Sequence, residues 1–187
     1  TVAGAQYDGI HLEDRTKLAV TGCVLRDNGD QAIGTLYDCC SSTIWAIRVA
    51  AARPFSDDEA LLEYADLILA ELSEGDLDEA LSGHPRIGDR ADNPSSAREQ
   101  SGVTGADASV LAELKDLNAA YEDRFGHVYL VFANGRPAAE LLAILKQRMR
   151  NDPATERRVM RAELAKINRS RLIRMLAPAG NFDDAGA

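Results

Sequence analysis

Apolar residues that recur at the spacing of an α-helix constrain this chain most strongly. After the acidic run at 57–59, leucine, isoleucine and alanine lie on one helical face as far as Leu72. The same period runs through 107–123, 137–150 and 153–176. Aromatic residues make up only 5% of the chain, whereas Ala and Leu, which favour helices, are abundant. The pattern predicts an all-α, single-domain orthogonal bundle of about seven to nine helices.

Capping residues and helix breakers set the expected boundaries. Residues 31–53 are predicted to form one helix or two short ones, which Pro54 ends. Ser56 fits the N-cap of the next helix. Ser96, followed three residues later by Glu99, fits a capping box at the start of a further helix.

Three other segments complete the expected layout. Asp152 and Pro153 fit the N-cap and first position of the last helix. The Gly- and Pro-rich segment 83–96 predicts a loop after a short helix over 76–82. The run HVYLVFANG (127–135) has the composition of a strand without a partner strand. We expect it to be either a buried extended segment or a helix.

Charge and cysteine content narrow the partners and the compartment. Lys and Arg number 21 against 30 Asp and Glu, and the net charge of −9 argues against nucleic-acid and membrane partners. An anionic small molecule would need a locally placed Arg or Lys. The three cysteines, with Cys39 and Cys40 adjacent, do not resemble a disulfide framework. Because no bilayer-spanning segment or secretory signal is visible, we expect a cytoplasmic protein.

The predicted loop contains a candidate acid or base, His84, between Gly83 and Pro85. The glycine allows close backbone approach and the proline stiffens the chain. Because an imidazole titrates near neutral pH, His84 could transfer protons. The alternative is an exposed loop histidine without a role.

The predicted helix start at Ser96 offers further polar groups near this loop. Free backbone N–H groups and the positive end of the helix dipole favour an anionic ligand, and Gln100 adds an amide. Ser96 and Glu99 also fit a purely structural role, in which each satisfies a backbone donor of the other. The structural role and anion binding are compatible.

The last predicted helix carries an arginine within its apolar face. Leu164, Ile167 and Met175 fall on one stripe, with Arg171 near its middle, while Arg169 points away. A buried arginine requires a carboxylate or an anionic ligand. Arg171 is therefore either a ligand-binding group or one half of an internal ion pair.

Possible metal ligands occur near the end of the predicted helix over 107–123. Glu122, Asp123 and His127 do not share one helical face before Gly126 ends the helix. No metal site is expected there.

Several segments carry a resemblance to a known family. In chain order they are YDCCSSTIW (37–45), RPF (53–55), GHPRIGDR (83–90), SSAREQSGV (95–103), LNAAYEDRFGHVYLVFANGR (117–136), RMRNDPATE (148–156) and ELAKINRSRL (163–172). Together they resemble the OHCU decarboxylase family, named for 2-oxo-4-hydroxy-4-carboxy-5-ureidoimidazoline. The resemblance covers about 31–176, which leaves 1–30 as a segment of unknown role and 177–187 as a tail. His-Val after Phe125-Gly126 resembles the bacterial branch rather than the eukaryotic Phe-Pro form.

The resemblance implies an all-α homodimer without a metal or organic cofactor, which converts the ureidoimidazoline of urate breakdown to (S)-allantoin and carbon dioxide. Its motifs imply His84 as the catalytic residue, assisted by Glu99 through a hydrogen bond or a tuned pKa. Backbone amides after Gly126 are implied as substrate contacts. The side chains implied as further substrate contacts are Pro85, Ser96, Gln100 and Arg171.

Two alternatives stay open at this point. One is a helical hydrolase or lyase that acts on a related ureido compound through His84 and Glu99. The other is a non-catalytic interaction module in which Arg171 only completes an internal ion pair.

Overall fold

The computed structural model describes residues 29–88 and 94–177, and the regular elements in these ranges are all helices. A short 3-10 turn, Ser101–Val103, follows α5. The α-helices are α1 (Gly29–Cys40), α2 (Thr43–Ala51), α3 (Asp58–Ala70), α4 (Glu74–Ser82), α5 (Pro94–Glu99), α6 (Ala108–Phe125), α7 (Ala138–Arg148) and α8 (Pro153–Leu176). Eight helices in the described ranges confirm the predicted all-α class and fall within the predicted number. Most of the predicted segments 1–30 and 177–187 lies outside the described residues.

Two predicted boundaries are settled by local capping. Residues 31–53 form two helices, because Ser41 has a positive φ of 59° and the Ser42 side chain caps α2. The prediction of Ser56 as the N-cap of α3 is wrong. Asp57 caps this helix by accepting from the Ala60 N–H at 2.8 Å, and the Ser56 hydroxyl donates to the Asp57 carboxylate.

The predicted capping box at Ser96 is also wrong. Helix α5 begins two residues earlier, at Pro94, so Ser96 lies inside the helix and is buried. Its hydroxyl accepts a hydrogen bond from Arg171, and the Glu99 carboxylate binds the same guanidinium. The two side chains of the predicted capping box therefore bind Arg171 of α8 and do not cap α5.

The ends of the long helices follow the sequence signals. Asp152 caps α8 by accepting from the Thr155 N–H at 2.9 Å, and Pro153 occupies the first turn, as predicted. Helix α6 ends at Gly126, whose φ of 77° is a left-handed conformation that favours glycine.

An extended segment, 127–133, passes between two apolar cores. The first core joins α1–α4 and α8, and the second joins α6 and α7. Even-numbered residues from Val128 to Phe132 pack on the first core, and odd-numbered residues from Tyr129 to Ala133 belong to the second. This two-residue alternation is that of a strand with both faces buried. It confirms one of the two predicted conformations for the run HVYLVFANG.

Side chains supply hydrogen bonds that a neighbouring strand would otherwise provide. The carbonyl of Leu130 accepts from Arg148 Nη1 at 2.6 Å, and the N–H of Phe132 donates to Glu163 Oε2 at 2.8 Å. The segment is therefore held in place without a sheet, and it forms one wall of a cavity that His84 also lines.

Candidate active site

A small cavity lies where the two cores meet. Its apolar lining comes from both cores and consists of Ile87, Leu130, Val131, Ala133 and Ile167. Its other lining residues are His84, Pro85, Ser96, Glu99, Gln100 and Arg171. The structure thus brings together all six side chains that the sequence motifs implied, while their individual roles remain predictions. The free volume is about 20 Å³, close to the space needed by one water molecule.

The end of α4 positions His84. The helix stops at Ser82, and the His84 N–H donates to the Leu81 carbonyl at 3.0 Å. A Cβ atom at Gly83 would lie 2.2 Å from Ser41 Oγ, so only glycine allows this close approach between α4 and the α1–α2 turn. His84 is 7% exposed, which excludes the alternative of an exposed loop histidine.

The hydrogen bonds of His84 define its protonation state. Nδ1 lies 2.8 Å from the Ala80 carbonyl, which can only accept, so Nδ1 carries the proton. Nε2 is buried and has no hydrogen-bond partner among the described residues. Burial and the nearby Arg171 charge lower the pKa of His84 from 6.5 to about 4. At neutral pH His84 is therefore uncharged, with the lone pair of Nε2 available.

Arg171 joins three helices at the cavity wall. Its Nε and Nη2 donate to the two carboxylate oxygens of Glu99 at 2.8 and 2.9 Å. Nη1 donates to the Cys39 carbonyl at 2.9 Å, and Nη2 also reaches Ser96 Oγ at 3.3 Å. The predicted burial of Arg171 is confirmed, and the charge it requires comes from Glu99. Arg169 points away from the cavity, as predicted, and is partly exposed.

A second arginine, Arg174, was missed by the sequence analysis. Its Nη2 donates to Glu99 Oε1 at 2.8 Å, so two guanidinium groups share this carboxylate. The available signal was position, since Arg174 follows Arg171 by three residues on the same helix and so lies on a neighbouring face.

Glu99 acts on the His84 ring through its charge. The Glu99 carboxylate accepts from the two arginines, and the hydrogen bond of the His84 ring goes to the Ala80 carbonyl. Of the two predicted forms of assistance, a hydrogen bond or a tuned pKa, no His84–Glu99 hydrogen bond is formed. The negative charge of Glu99 raises the pKa of His84 and so partly opposes the effect of burial.

Two amide side chains hold the loop after His84. Gln100 Oε1 accepts from the Gly88 N–H at 2.9 Å, and its Nε2 donates to the Arg86 carbonyl at 3.3 Å. Asn118, which the sequence analysis did not identify, donates to the Ile87 carbonyl at 3.0 Å. The predicted substrate contact Gln100 thus also fixes the shape of the cavity wall.

Other sequence candidates lie outside the cavity. Within 29–88 and 94–177 no group of three His, Cys, Asp or Glu side chains is arranged to hold a metal ion. Burial raises the pKa of Cys39 to about 11 and of Cys40 to about 12, so neither is a reactive thiolate at neutral pH. None of the helices in these ranges has the length and apolar character needed to cross a bilayer.

The sequence is similar to known proteins over most of its length. The OHCU decarboxylase family matches residues 27–173. The uric acid degradation bifunctional protein TTL of Arabidopsis thaliana is 32% identical over 148 residues, which are 74% of this chain and 45% of that protein. The chain thus spans less than half of this bifunctional relative.

Two relatives are matched over most of their own length. The 2-oxo-4-hydroxy-4-carboxy-5-ureidoimidazoline decarboxylase of Mus musculus is 30% identical over 150 residues, covering 76% of this chain and 83% of that protein. The enzyme of Amia calva is 28% identical over 153 residues, covering 76% and 84%.

Solved structures share the fold. An OHCU decarboxylase crystallised in the presence of (S)-allantoin superposes with a TM-score of 0.69 at 26% identity, covering 80% of this chain and 99% of that one. An (S)-allantoin synthase with 19% identity and a TM-score of 0.63 has the same fold over 82% of this chain and 52% of its own. Together with the family match and the mouse relative, these findings establish that the chain belongs to the OHCU decarboxylase family.

Proposed function

We propose that this chain decarboxylates 2-oxo-4-hydroxy-4-carboxy-5-ureidoimidazoline to (S)-allantoin during urate breakdown. The observation that carries the proposal is the bare Nε2 of buried His84, in one cavity with the Arg171–Glu99 pair. Family membership supports the reaction, and a related enzyme was crystallised in the presence of (S)-allantoin. The catalytic unit is residues 31–176.

The substrate supplies its own electron sink. Its carboxylate and a hydroxyl group share one carbon, and the next ring carbon forms a C=N bond. When the carbon–carboxylate bond breaks, its electron pair moves toward this C=N group and carbon dioxide leaves. The nitrogen of this group takes up one proton from solvent, the hydroxyl loses its proton and becomes a carbonyl, and the neighbouring carbon gains a proton. The protein must orient the carboxylate and move protons on one face of the ring.

His84 moves the proton. Neutral His84 Nε2 accepts the proton of the substrate hydroxyl, because Nδ1 is already protonated and bound to Ala80. The imidazolium formed in this buried place is acidic, so it readily returns a proton to the neighbouring ring carbon. Delivery from one side of the ring yields a single enantiomer.

The remaining side chains assist His84 or orient the substrate. Glu99 stabilises the transient His84 imidazolium by its charge, and Arg171 holds Glu99 in place. Pro85, Ser96 and Gln100 contact the ring and ureido group, and backbone amides after Gly126 bind carbonyl oxygens of the substrate. Leu130, Val131 and Ala133, which line the cavity, belong to that backbone stretch.

Circular dichroism of freshly generated substrate tests this function. The protein should accelerate the decay of the dichroic intermediate, release carbon dioxide and leave (S)-allantoin. His84→Gln should lower kcat about 10²- to 10⁴-fold, which is the usual contribution of a general acid or base. His127→Gln is the matched control, because the His127 ring packs on Tyr121 outside the cavity.

The outcomes separate the alternatives. Product formation without carbon dioxide would identify a hydrolase, and unchanged decay of the intermediate would favour a non-catalytic module. Near-normal turnover by His84→Gln would refute the assignment of His84.

The proposal includes a cytoplasmic homodimer. Buried, free Cys39 and Cys40 suit a reducing compartment. Tyr37, Ile44 and Ile47 expose 41%, 42% and 42% of their surface on α1 and α2, and they offer an apolar face for a second copy. Light scattering should give twice the chain mass of 20.2 kDa. Ile47→Glu should then reduce this mass to that of one chain, and a wild-type monomer would contradict the dimer.

A further inference from the structure

The two arginines that share the Glu99 carboxylate are held to different degrees. Arg171 is 5% exposed in its side chain and donates to Glu99 and to groups of α1 and α5. Arg174 is 20% exposed, and its second hydrogen bond goes to Ser170 on its own helix. Arg174 can therefore move without disturbing the packing of neighbouring helices.

Glu99 does not depend on Arg174 for its hydrogen bonds. Arg171 Nε donates to Oε1 and Arg171 Nη2 donates to Oε2, so both carboxylate oxygens stay satisfied when Arg174 leaves. Arg174 adds one further hydrogen bond to Oε1 at 2.8 Å. Two guanidinium groups therefore share one carboxylate at the cavity wall.

We propose that Arg174 exchanges Glu99 for the carboxylate of the substrate and so selects the charged substrate over the uncharged product. This inference rests on the proposed decarboxylation. A free volume of about 20 Å³ cannot hold a ring with carboxylate and ureido groups, so side chains must move on binding. Arg174 is partly exposed and already binds one carboxylate, that of Glu99, so the substrate carboxylate offers it a partner of the same chemistry.

Decarboxylation itself removes the group that Arg174 binds. The carbon–carboxylate bond breaks, its electron pair enters the ring and is neutralised there by one proton from solvent, and carbon dioxide and allantoin are both uncharged. Arg174 then returns to Glu99, which favours product release. Because Arg174 stabilises the bound carboxylate more than a transition state whose charge moves to the ring, its loss should raise KM without lowering kcat.

Steady-state kinetics of Arg174→Gln test the exchange, with substrate generated in the assay and (S)-allantoin as inhibitor. KM should rise about 10- to 100-fold, the range expected for a lost charge-assisted hydrogen bond. The Ki of allantoin should stay within about twofold of wild type. The kcat should either stay within about twofold of wild type or increase. Arg169→Gln is the matched control on the same helix, since Arg169 pairs with Glu59 and Asp66.

Arg174→Lys provides a second variant that keeps the charge. Its KM should lie between those of wild type and Arg174→Gln, and its Ki should equal that of wild type. If Arg174→Gln does not fold, Arg174→Lys alone is the test variant. Equal rises in KM and Ki would show that Arg174 only braces Glu99, and unchanged constants would show that it has no role. Either result overturns the proposal. Absence of turnover by the wild-type chain would instead refute the decarboxylase function itself.

Discussion

Among the residues that the structure describes, two buried arginine–glutamate pairs occur, one at the cavity and one away from it. In the distant pair, Arg148 is 5% exposed and Glu156 is fully buried. Tyr121 and Asn151 also donate to Glu156, and the Arg148 guanidinium lies 5.0 Å from the centre of the Tyr129 ring. Every carboxylate oxygen of this pair is bound within the protein, so it forms a closed structural network.

The cavity pair has a different environment. Glu99 and Arg171 are similarly buried, but they line a cavity with His84, whose Nε2 has no partner within 29–88 and 94–177. The second arginine on Glu99, Arg174, is partly exposed. A buried ion pair therefore does not by itself indicate a functional site. An unsatisfied base in the same cavity makes the difference.

The largest expected effect concerns the closed pair. Arg148→Met should lower the free energy of unfolding by about 3–5 kcal/mol, because Glu156 would keep a buried charge without its main partner. Arg148→Met combined with Glu156→Leu should regain most of this loss, since apolar replacement removes both charges. Urea unfolding measures both effects. A double variant no more stable than the single one would show that the pair is not a closed unit.

The next effect is a pH dependence that comes from His84. Its pKa is about 4 in the folded protein and 6.5 in the unfolded chain, so the unfolded chain binds more protons between these values. The contribution of His84 to the free energy of unfolding is fully present above pH 6.5 and is lost as pH falls toward 4. The total loss is about 3 kcal/mol. The difference in unfolding free energy between wild type and His84→Gln should change across this window. A constant difference would contradict the low pKa.

A smaller stability change is expected at the cavity pair. Arg171→Met should cost about 2 kcal/mol, less than Arg148→Met, because Glu99 keeps Arg174 as a partner. Turnover should nevertheless be strongly reduced, since Glu99 loses its fixed position. Urea unfolding and kinetics on the same sample separate the two effects. A loss of stability as large as at Arg148, with normal turnover, would make the cavity pair purely structural.

The smallest effect is expected outside both pairs. Arg169 binds Glu59 and Asp66 on the protein surface, and its side chain is 33% exposed. Arg169→Gln should change stability by no more than about 1 kcal/mol and leave turnover unchanged. A larger effect on turnover would mean that α8 influences the cavity along more than one face.

Much of this fold follows from short-range signals in the sequence. Helical spacing and the Asp152-Pro153 cap fixed α8, and the same spacing placed Arg171 on its buried face. The capping predictions failed where two adjacent residues could cap, as at Ser56, or where a distant side chain recruited the capping group, as at Ser96. Local patterns cannot register such tertiary partners.

The site was predictable as a set of residues but not as an electronic arrangement. Motifs identified His84, Glu99 and Arg171, whereas the proton on Nδ1 depends on the position of the Ala80 carbonyl. Arg174 was missed because a partly exposed arginine near a helix end resembles any surface residue. Both features depend on how distant segments pack.

The protonation state of His84, measured by ¹⁵N NMR, tests the proposed proton transfer most directly. The chain has three histidines, and comparison with His84→Gln assigns the signal. We expect a neutral ring with a proton on Nδ1 and a bare Nε2 from pH 8 to below pH 5, and a change in the Nε2 signal when allantoin binds. A ring that titrates near pH 6.5, or a proton on Nε2 at neutral pH, would contradict it.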